Sequence, residues 1–142
     1  MGKVMTPIRL TNAADRTQAL EGKIEAAAVR TVQLEALVDT GATMLVIPAD
    51  AARQLGVPVE GTRNVKMANG ERHAIPWVAA LRLELCGREM TCDALVMPEG
   101  TTALIGQIPL EALDLIVDPK NREVRVNPES PESPLLDLLA CA

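Results

Sequence analysis

The sequence predicts a mainly β protein, a closed or nearly closed β-barrel carrying two short helices. Three observations carry that expectation. Apolar residues recur with a period of two in many short runs. Clusters of Gly, Pro, Asn and Asp separate those runs. A chain of 142 residues, 48% of them hydrophobic, suffices for one domain with a real core and is too short for two. Many short strands joined by tight turns are stable once they close into a barrel. With one Trp and neither Phe nor Tyr, the core must be built from Val, Leu, Ile, Ala and Met.

In order, residues 4–10 read as a first strand, ended by the turn-like Thr11-Asn12-Ala13-Ala14-Asp15. Residues 23–37 keep a period of two through Ile24, Ala26, Ala28, Val32 and Leu34, and read as one long strand or two joined ones, despite the helix propensity of the alanines. A second apolar run, Met44-Leu45-Val46-Ile47, leads into a short helix over residues 48–55, with Pro48 in its first turn and Gly56 just past its end. Asn69-Gly70, between residues 65–68 and 71–75, is a strong short hairpin signal. Residues 77–85 alternate, placing Trp77, Ala79, Leu81, Leu83 and Leu85 on one face. Cys86-Gly87-Arg88-Glu89 is the next turn, and Met90, Cys92, Ala94 and Val96 line the returning strand. Pro109 opens a second short helix through Leu113. A last hairpin joins residues 115–117 to 123–126. The barrel domain is expected over residues 1–127, followed by a Pro/Ser/Glu linker and an apolar tail over 128–142. That tail reads equally as a frayed end or as a docking segment.

The stretch around which the rest is arranged is Leu37-Val38-Asp39-Thr40-Gly41-Ala42-Thr43. An alternating strand delivers a single carboxylate into a turn containing glycine. A lone buried charge would be costly, so Asp39 must be paired, hydrogen-bonded or protonated. An aspartate capping its own loop near a strand end is the ordinary structural reading. By the same standard, Leu104-Ile105-Gly106 is an ordinary strand-to-turn segment. Trp77, in phase with four apolar positions, reads as a core residue.

Taken together these motifs resemble the retropepsin-like single-domain aspartic proteases, more a bacterial type than a retroviral one. Val38-Asp39-Thr40-Gly41-Ala42 is similar to the family's active-site turn, and Leu104-Ile105-Gly106 to its second motif, with a hairpin between them. The resemblance implies Asp39 as the catalytic carboxylate. Thr40, Gly41 and Ala42 would form the rest of the active-site turn, Thr40 bonding across a dimer axis. It also implies a flap around Asn69 and Gly70, with Met67, Ala68, Ile75 and Trp77 facing substrate. An extended peptide would bind there as an added strand. The retroviral pattern has an acidic residue and an arginine where this chain has Thr43 and Gln107, so a hydrogen bond between those two could replace an ion pair.

That mechanism needs two carboxylates sharing a proton, and only Asp39 lies in an Asp-Thr-Gly turn. Asp118 is followed by Pro119, and Asp114 lacks a glycine. The expected active form is therefore a homodimer with Asp39 from each copy. The alternative is a dimeric peptide-binding scaffold of the same fold without catalysis, although the intact Asp39-Thr40-Gly41 turn favours the enzyme.

Other classes fit poorly. A net charge of −5 argues against a nucleic-acid partner. No apolar run approaches the roughly 20 residues of a membrane span. No cofactor is expected, and zinc is disfavoured by a lone His73 and the absence of a closely spaced Cys pair. The N-terminus lacks the apolar region of a secretory signal, and three cysteines without one suggest reduced thiols in the cytoplasm.

Overall fold

In the computed structural model, which describes residues 2–138, the chain forms a mainly β fold. The elements are β1 (Met5–Asn12), α1 (Ala13–Leu20), β2 (Thr31–Val38), β3 (Leu45–Pro48), α2 (Ala49–Leu55), β4 (Val59–Lys66), β5 (Arg72–Leu85), β6 (Arg88–Met97), β7 (Ala103–Ile105), α3 (Gln107–Ala112), β8 (Leu115–Asp118) and β9 (Glu123–Val126). Strands run in the order β1-β2-β7-β3-β6-β5-β4, and β1 also pairs with β5. That extra pairing closes six strands into a barrel and leaves β4 hanging outside it on β5 alone. The β2–β7 and β3–β6 pairs are parallel, whereas the other barrel ladders are antiparallel. No described helix is long and apolar enough to cross a membrane.

The barrel interior is aliphatic. Leu10, Leu45, Ile47, Leu81, Leu83 and Ile105 are fully buried, and Leu55 of α2 and Leu113 just beyond α3 join the same core. Without aromatic rings to fill volume, closure depends on branched side chains interdigitating across the six walls.

Several elements differ from the sequence reading. Among the described residues there are three α-helices, not two. Residues 11–15 are no turn, because β1 runs on to Asn12, which caps α1. Its side-chain oxygen accepts from the Asp15 amide at 3.0 Å, and its Nδ2 donates to the Leu55 carbonyl at 2.8 Å. Ala26–Ala28 form a 3-10 turn, not part of a strand. The alanines there are exposed and have no strand beside them, so local propensity prevails. The connection is instead pinned at its end by Arg30, whose guanidinium grips buried Asp15 at 2.7 and 2.9 Å and holds that carboxyl below its usual range.

The Asn69-Gly70 hairpin exists, but its loop is longer than a two-residue turn. The Met67 amide donates to Glu71 O at 2.7 Å, and the Gly70 amide to Met67 O at 2.9 Å. Of the two turn residues only Gly70 has a positive φ, 88°. A primed two-residue turn would require it at both, so the loop spans three residues and ends on glycine.

Residues 72–85 form one strand, and a bulge between Val78 and Leu81 shifts its phase. Val78, not Trp77, therefore shares the interior with Leu81, Leu83 and Leu85, and Trp77 points to the other face. The following turn uses only Cys86 and Gly87, with Leu85 already opposite Arg88. The second predicted helix starts at Gln107, two residues before Pro109.

Arg88, read from sequence as a turn residue, is instead 7% exposed within β6. Its guanidinium donates to the carbonyls of Leu113 at 2.8 Å and Asp114 at 3.0 Å, and also to that of Ser130. Asp114 accepts from the Ser130 hydroxyl, the Leu135 amide and the Asn127 side chain, and these bonds, in that order, hold its carboxyl below the ordinary range. A depressed folded-state pKa means this latch contributes fully above the unfolded value of about 3.9 and is lost as pH falls through the folded one. The NMR shift of the Leu135 amide should therefore titrate with a midpoint below 3.8, leaving the latch closed in mild acid. A midpoint at or above that value would show that the latch adds nothing. Leu139 and Cys141, counted in the tail and among the thiols, lie outside the described residues.

Candidate active site

Asp39 stands one residue beyond β2, where the parallel β2–β7 pair ends. The Asp39 amide donates to Ile105 O at 2.9 Å, joining the Asp-Thr-Gly turn to the Leu-Ile-Gly segment. Its carboxylate Oδ1 accepts from the Gly41 amide at 2.9 Å, and its carbonyl accepts from the Ala42 amide at 3.1 Å. The carboxylate is half-buried with one oxygen held by main chain. It is thus aimed by the turn itself, through main chain.

The second motif acts as a staple. The Gln107 amide donates to Ala42 O at 2.8 Å and the Ile108 amide to Thr43 O at 2.9 Å. Main chain therefore makes the link that a Thr43–Gln107 side-chain bond was expected to supply, and both of those residues are exposed. Gly106 permits this close approach: a Cβ there would stand 2.6 Å from Met44 O and 2.7 Å from Ala42 O. Its φ of −93° is open to any residue, so space is what demands glycine.

Strand register extends the site sideways. Leu37 lies opposite Leu104, Leu104 opposite Val46, Val46 opposite Leu95, Leu95 opposite Trp77, and Trp77 opposite Gly61. This continuous row faces away from the interior, and Asp39 follows Leu37 by one step of the alternation. Val46 and Leu95 are buried, yet neither belongs to the barrel core. At the far end Arg63 lies over the Trp77 ring, 4.3 Å from its centroid, and pairs with Asp93 at 3.0 Å. It also reaches the Met44 sulfur at 3.3 Å, so one side chain ties β4, β5 and β6 to the exit of the Asp39 turn. A Cβ at Gly61 would meet Trp77 Nε1 at 3.2 Å, which explains the small residue beneath the ring.

The structure gathers some of the expected residues and separates others. Asp39, Thr40, Gly41 and Ala42 join Leu104, Ile105 and Gly106 through the bonds above. Met67 and Ile75 share an apolar groove of about 460 Å³ with His73, Met97 and Pro98. Ala68, Asn69 and Gly70 are exposed at the hairpin tip. Thr40 instead lines a separate groove of about 750 Å³ with Ile108, Val117 and Leu135. Cys92 is half-buried beside Met44 and Arg63, and burial, with Asp93 adding to it, pushes its thiol up to about 12, so it is no thiolate nucleophile.

Sequence reading missed Arg63, Asp93, Val46 and Leu95. The signal was present for the first, since Val59, Gly61, Arg63 and Val65 alternate with polar residues from the start of β4. The strand starts at Val59, six residues before Val65. Asp93 and Leu95 fell between the apolar positions that defined β6, and only the register of neighbouring strands reveals their face.

No curated protein matches the chain in sequence. A model of the family described as gag-polyprotein putative aspartyl protease matches residues 26–112, a span that begins before β2 and ends with α3. It takes in the Asp39 turn, the hairpin and Leu104-Ile105-Gly106, and it covers more than half of the 142 residues. The chain belongs to this family of retropepsin-like aspartyl proteases.

Proposed function

We propose that the protein is an aspartic endopeptidase whose active site is completed by a second copy of the chain. The observation that carries this reading is the Asp39 turn itself. A carboxylate is oriented by the Gly41 amide, and the turn is fastened by main chain to Leu104-Ile105-Gly106. One such turn per chain supplies one carboxylate, and hydrolysis by this route uses two.

The two Asp39 carboxyls share one proton, because like charges so close cannot both ionise. The two apparent pKa values then belong to the pair. The ionised member takes a proton from a water as the oxygen of that water bonds to the peptide carbon, and the protonated member donates to the carbonyl oxygen. The tetrahedral diol collapses as the C–N bond breaks: one carboxyl gives its proton to the departing nitrogen while the other, now ionised, takes a hydroxyl proton from the diol, so the product is a carboxylic acid and the pair again shares one proton. The hairpin around Gly70 closes over an extended peptide, whose side chains meet the half-buried members of the apolar row, Leu37, Leu104 and Trp77.

Mixing tests this reading. Specific activity on a denatured protein substrate should fall on dilution, because each site needs two chains. Wild type mixed with excess Asp39→Asn should lose more activity than dilution alone explains, as mixed pairs form. A protein that sediments as a monomer throughout, yet cleaves at constant specific activity, would refute the shared site.

A further inference from the structure

The outer strand of the hairpin, β4, has a single ladder, and that ladder joins it only to β5 of the same hairpin. Among the described residues, the only side-chain hydrogen bonds that leave β4 come from Arg63. Its guanidinium donates to Met44 Sδ at 3.3 Å and to Asp93 Oδ2 at 3.0 Å, while its central carbon stands 4.3 Å from the centroid of the Trp77 ring. Arg63 lies opposite Ile75, part-way along the hairpin, and the ladder runs on to the Lys66–Arg72 pair before the exposed tip. The seat that it reaches is firm. Asp93 stands in β6 two residues before buried Leu95, and Met44 and Asp93 share a pocket of about 290 Å³ with Ile108, whose amide staples Thr43. Charge alone gives this contact little strength, because the Arg63 and Asp93 side chains are both 39% exposed and salt screens such pairs. Its specificity comes from a planar, forked cation meeting a carboxylate, a thioether and an aromatic face together, which the point charge of a lysine does not reproduce.

We infer that Arg63 is a positioning residue for peptide cleavage: it clasps the base of the hairpin to the exit of the Asp39 turn, so that only the part beyond residues 63 and 75 moves when a peptide enters. The bearing on cleavage rests on the proposed function; the clasp itself does not. A hairpin whose base is already set receives an extended peptide without having to order that base on binding. Freed of the clasp, the whole arm from residue 59 to residue 78 swings. The arrangement that accepts a peptide is then less populated, and apparent affinity falls in proportion. Arg63 is no part of the Asp39 turn, so the chemical step is left as it was.

Amide hydrogen exchange and steady-state cleavage of a peptide, both on the full chain, decide the matter for wild type, Arg63→Gln, Arg63→Lys and Asp93→Asn. Exchange at residues 59–63 and 75–78 should be about tenfold faster or more in Arg63→Gln and Asp93→Asn, with Arg63→Lys between them and wild type. Residues 67–71 at the tip, and the β1–β2 ladder, should change little. In cleavage, KM should rise about fivefold or more in Arg63→Gln while kcat stays within about twofold. Exchange at the hairpin base equal to that of wild type, or acceleration spread evenly into β1 and β2, would overturn the clasp. A loss expressed in kcat with KM unchanged would overturn the positioning role. Because exchange needs no catalysis, the two readings fail separately. The expected exchange pattern in a protein that cleaves nothing keeps the clasp and sinks the protease, with the positioning role. Cleavage that depends on Asp39, with exchange indifferent to Arg63→Gln, does the reverse.

Discussion

Replacing Asp39 by asparagine should lower the peptide-cleavage rate by roughly 10²- to 10⁴-fold, the range a positioned acid or base contributes. The amide keeps an oxygen where the carboxylate accepts from the Gly41 N–H, so the turn retains its bond and the fold its stability. What disappears is the ability to take a proton from water or to return one to the leaving nitrogen. Asp39→Ala would remove the same chemistry and also the bond to Gly41, adding about 1 kcal/mol of instability. The measurement is cleavage of a denatured protein mixture in mild acid, with thermal unfolding followed on the same samples. Activity of the wild type should follow a bell in pH, failing when the pair loses its shared proton or gains a second. Turnover by Asp39→Asn at the wild-type level would rule out a carboxylate pair and leave the scaffold reading.

The largest structural effect is expected at Gly106. An alanine there would place its Cβ 2.6 Å from Met44 O, 2.7 Å from Ala42 O and 2.7 Å from Met44 N. All three atoms are main chain, so no side chain can swing aside to relieve the clash. The two segments must part, which breaks the Gln107–Ala42 and Ile108–Thr43 bonds and releases the Asp39 turn. Gly106→Ala should destabilise the protein by about 3 kcal/mol or more and abolish cleavage although Asp39 is untouched. Urea unfolding followed by circular dichroism measures the first effect. Gly41 is the control, because a Cβ there meets only Asp39 Oδ1, at 3.2 Å. If Gly106→Ala unfolds at the wild-type midpoint, close packing is not what the glycine provides.

Much of this was legible without coordinates, and the misses have physical causes. The Asp39 turn, the α2 helix with its proline start and glycine stop, the Asn69-Gly70 hairpin and the final β8–β9 pair all announce themselves locally. What sequence could not convey was set by distant partners. Asn12 caps a helix because Leu55 offers its carbonyl to the other end of the amide. The bulge beyond Val78 turns Trp77 out of the interior, and nothing in Trp77-Val78-Ala79-Ala80-Leu81 marks it in advance. Arg88 looks like a turn cation until three carbonyls from 25 to 42 residues away converge on it. Leu104-Ile105-Gly106 could be recognised as a motif, but that its glycine is required for space follows only from the approach of residues 42–44.

The outward-facing Trp77 gives the protein a built-in optical reporter. Its indole is the only one in the chain, and no tyrosine competes with it. It lies where the hairpin leaves the barrel, above Gly61 and beneath the Arg63 guanidinium. Indole emission would therefore come from one place and describe the hairpin base alone. Far-ultraviolet dichroism averages over every strand. Agreement between the two melting curves would mean that hairpin and barrel come apart together. An earlier loss of the indole signal would mean that β4, held by a single ladder, peels away first, giving the hairpin a free energy of opening separate from that of the fold.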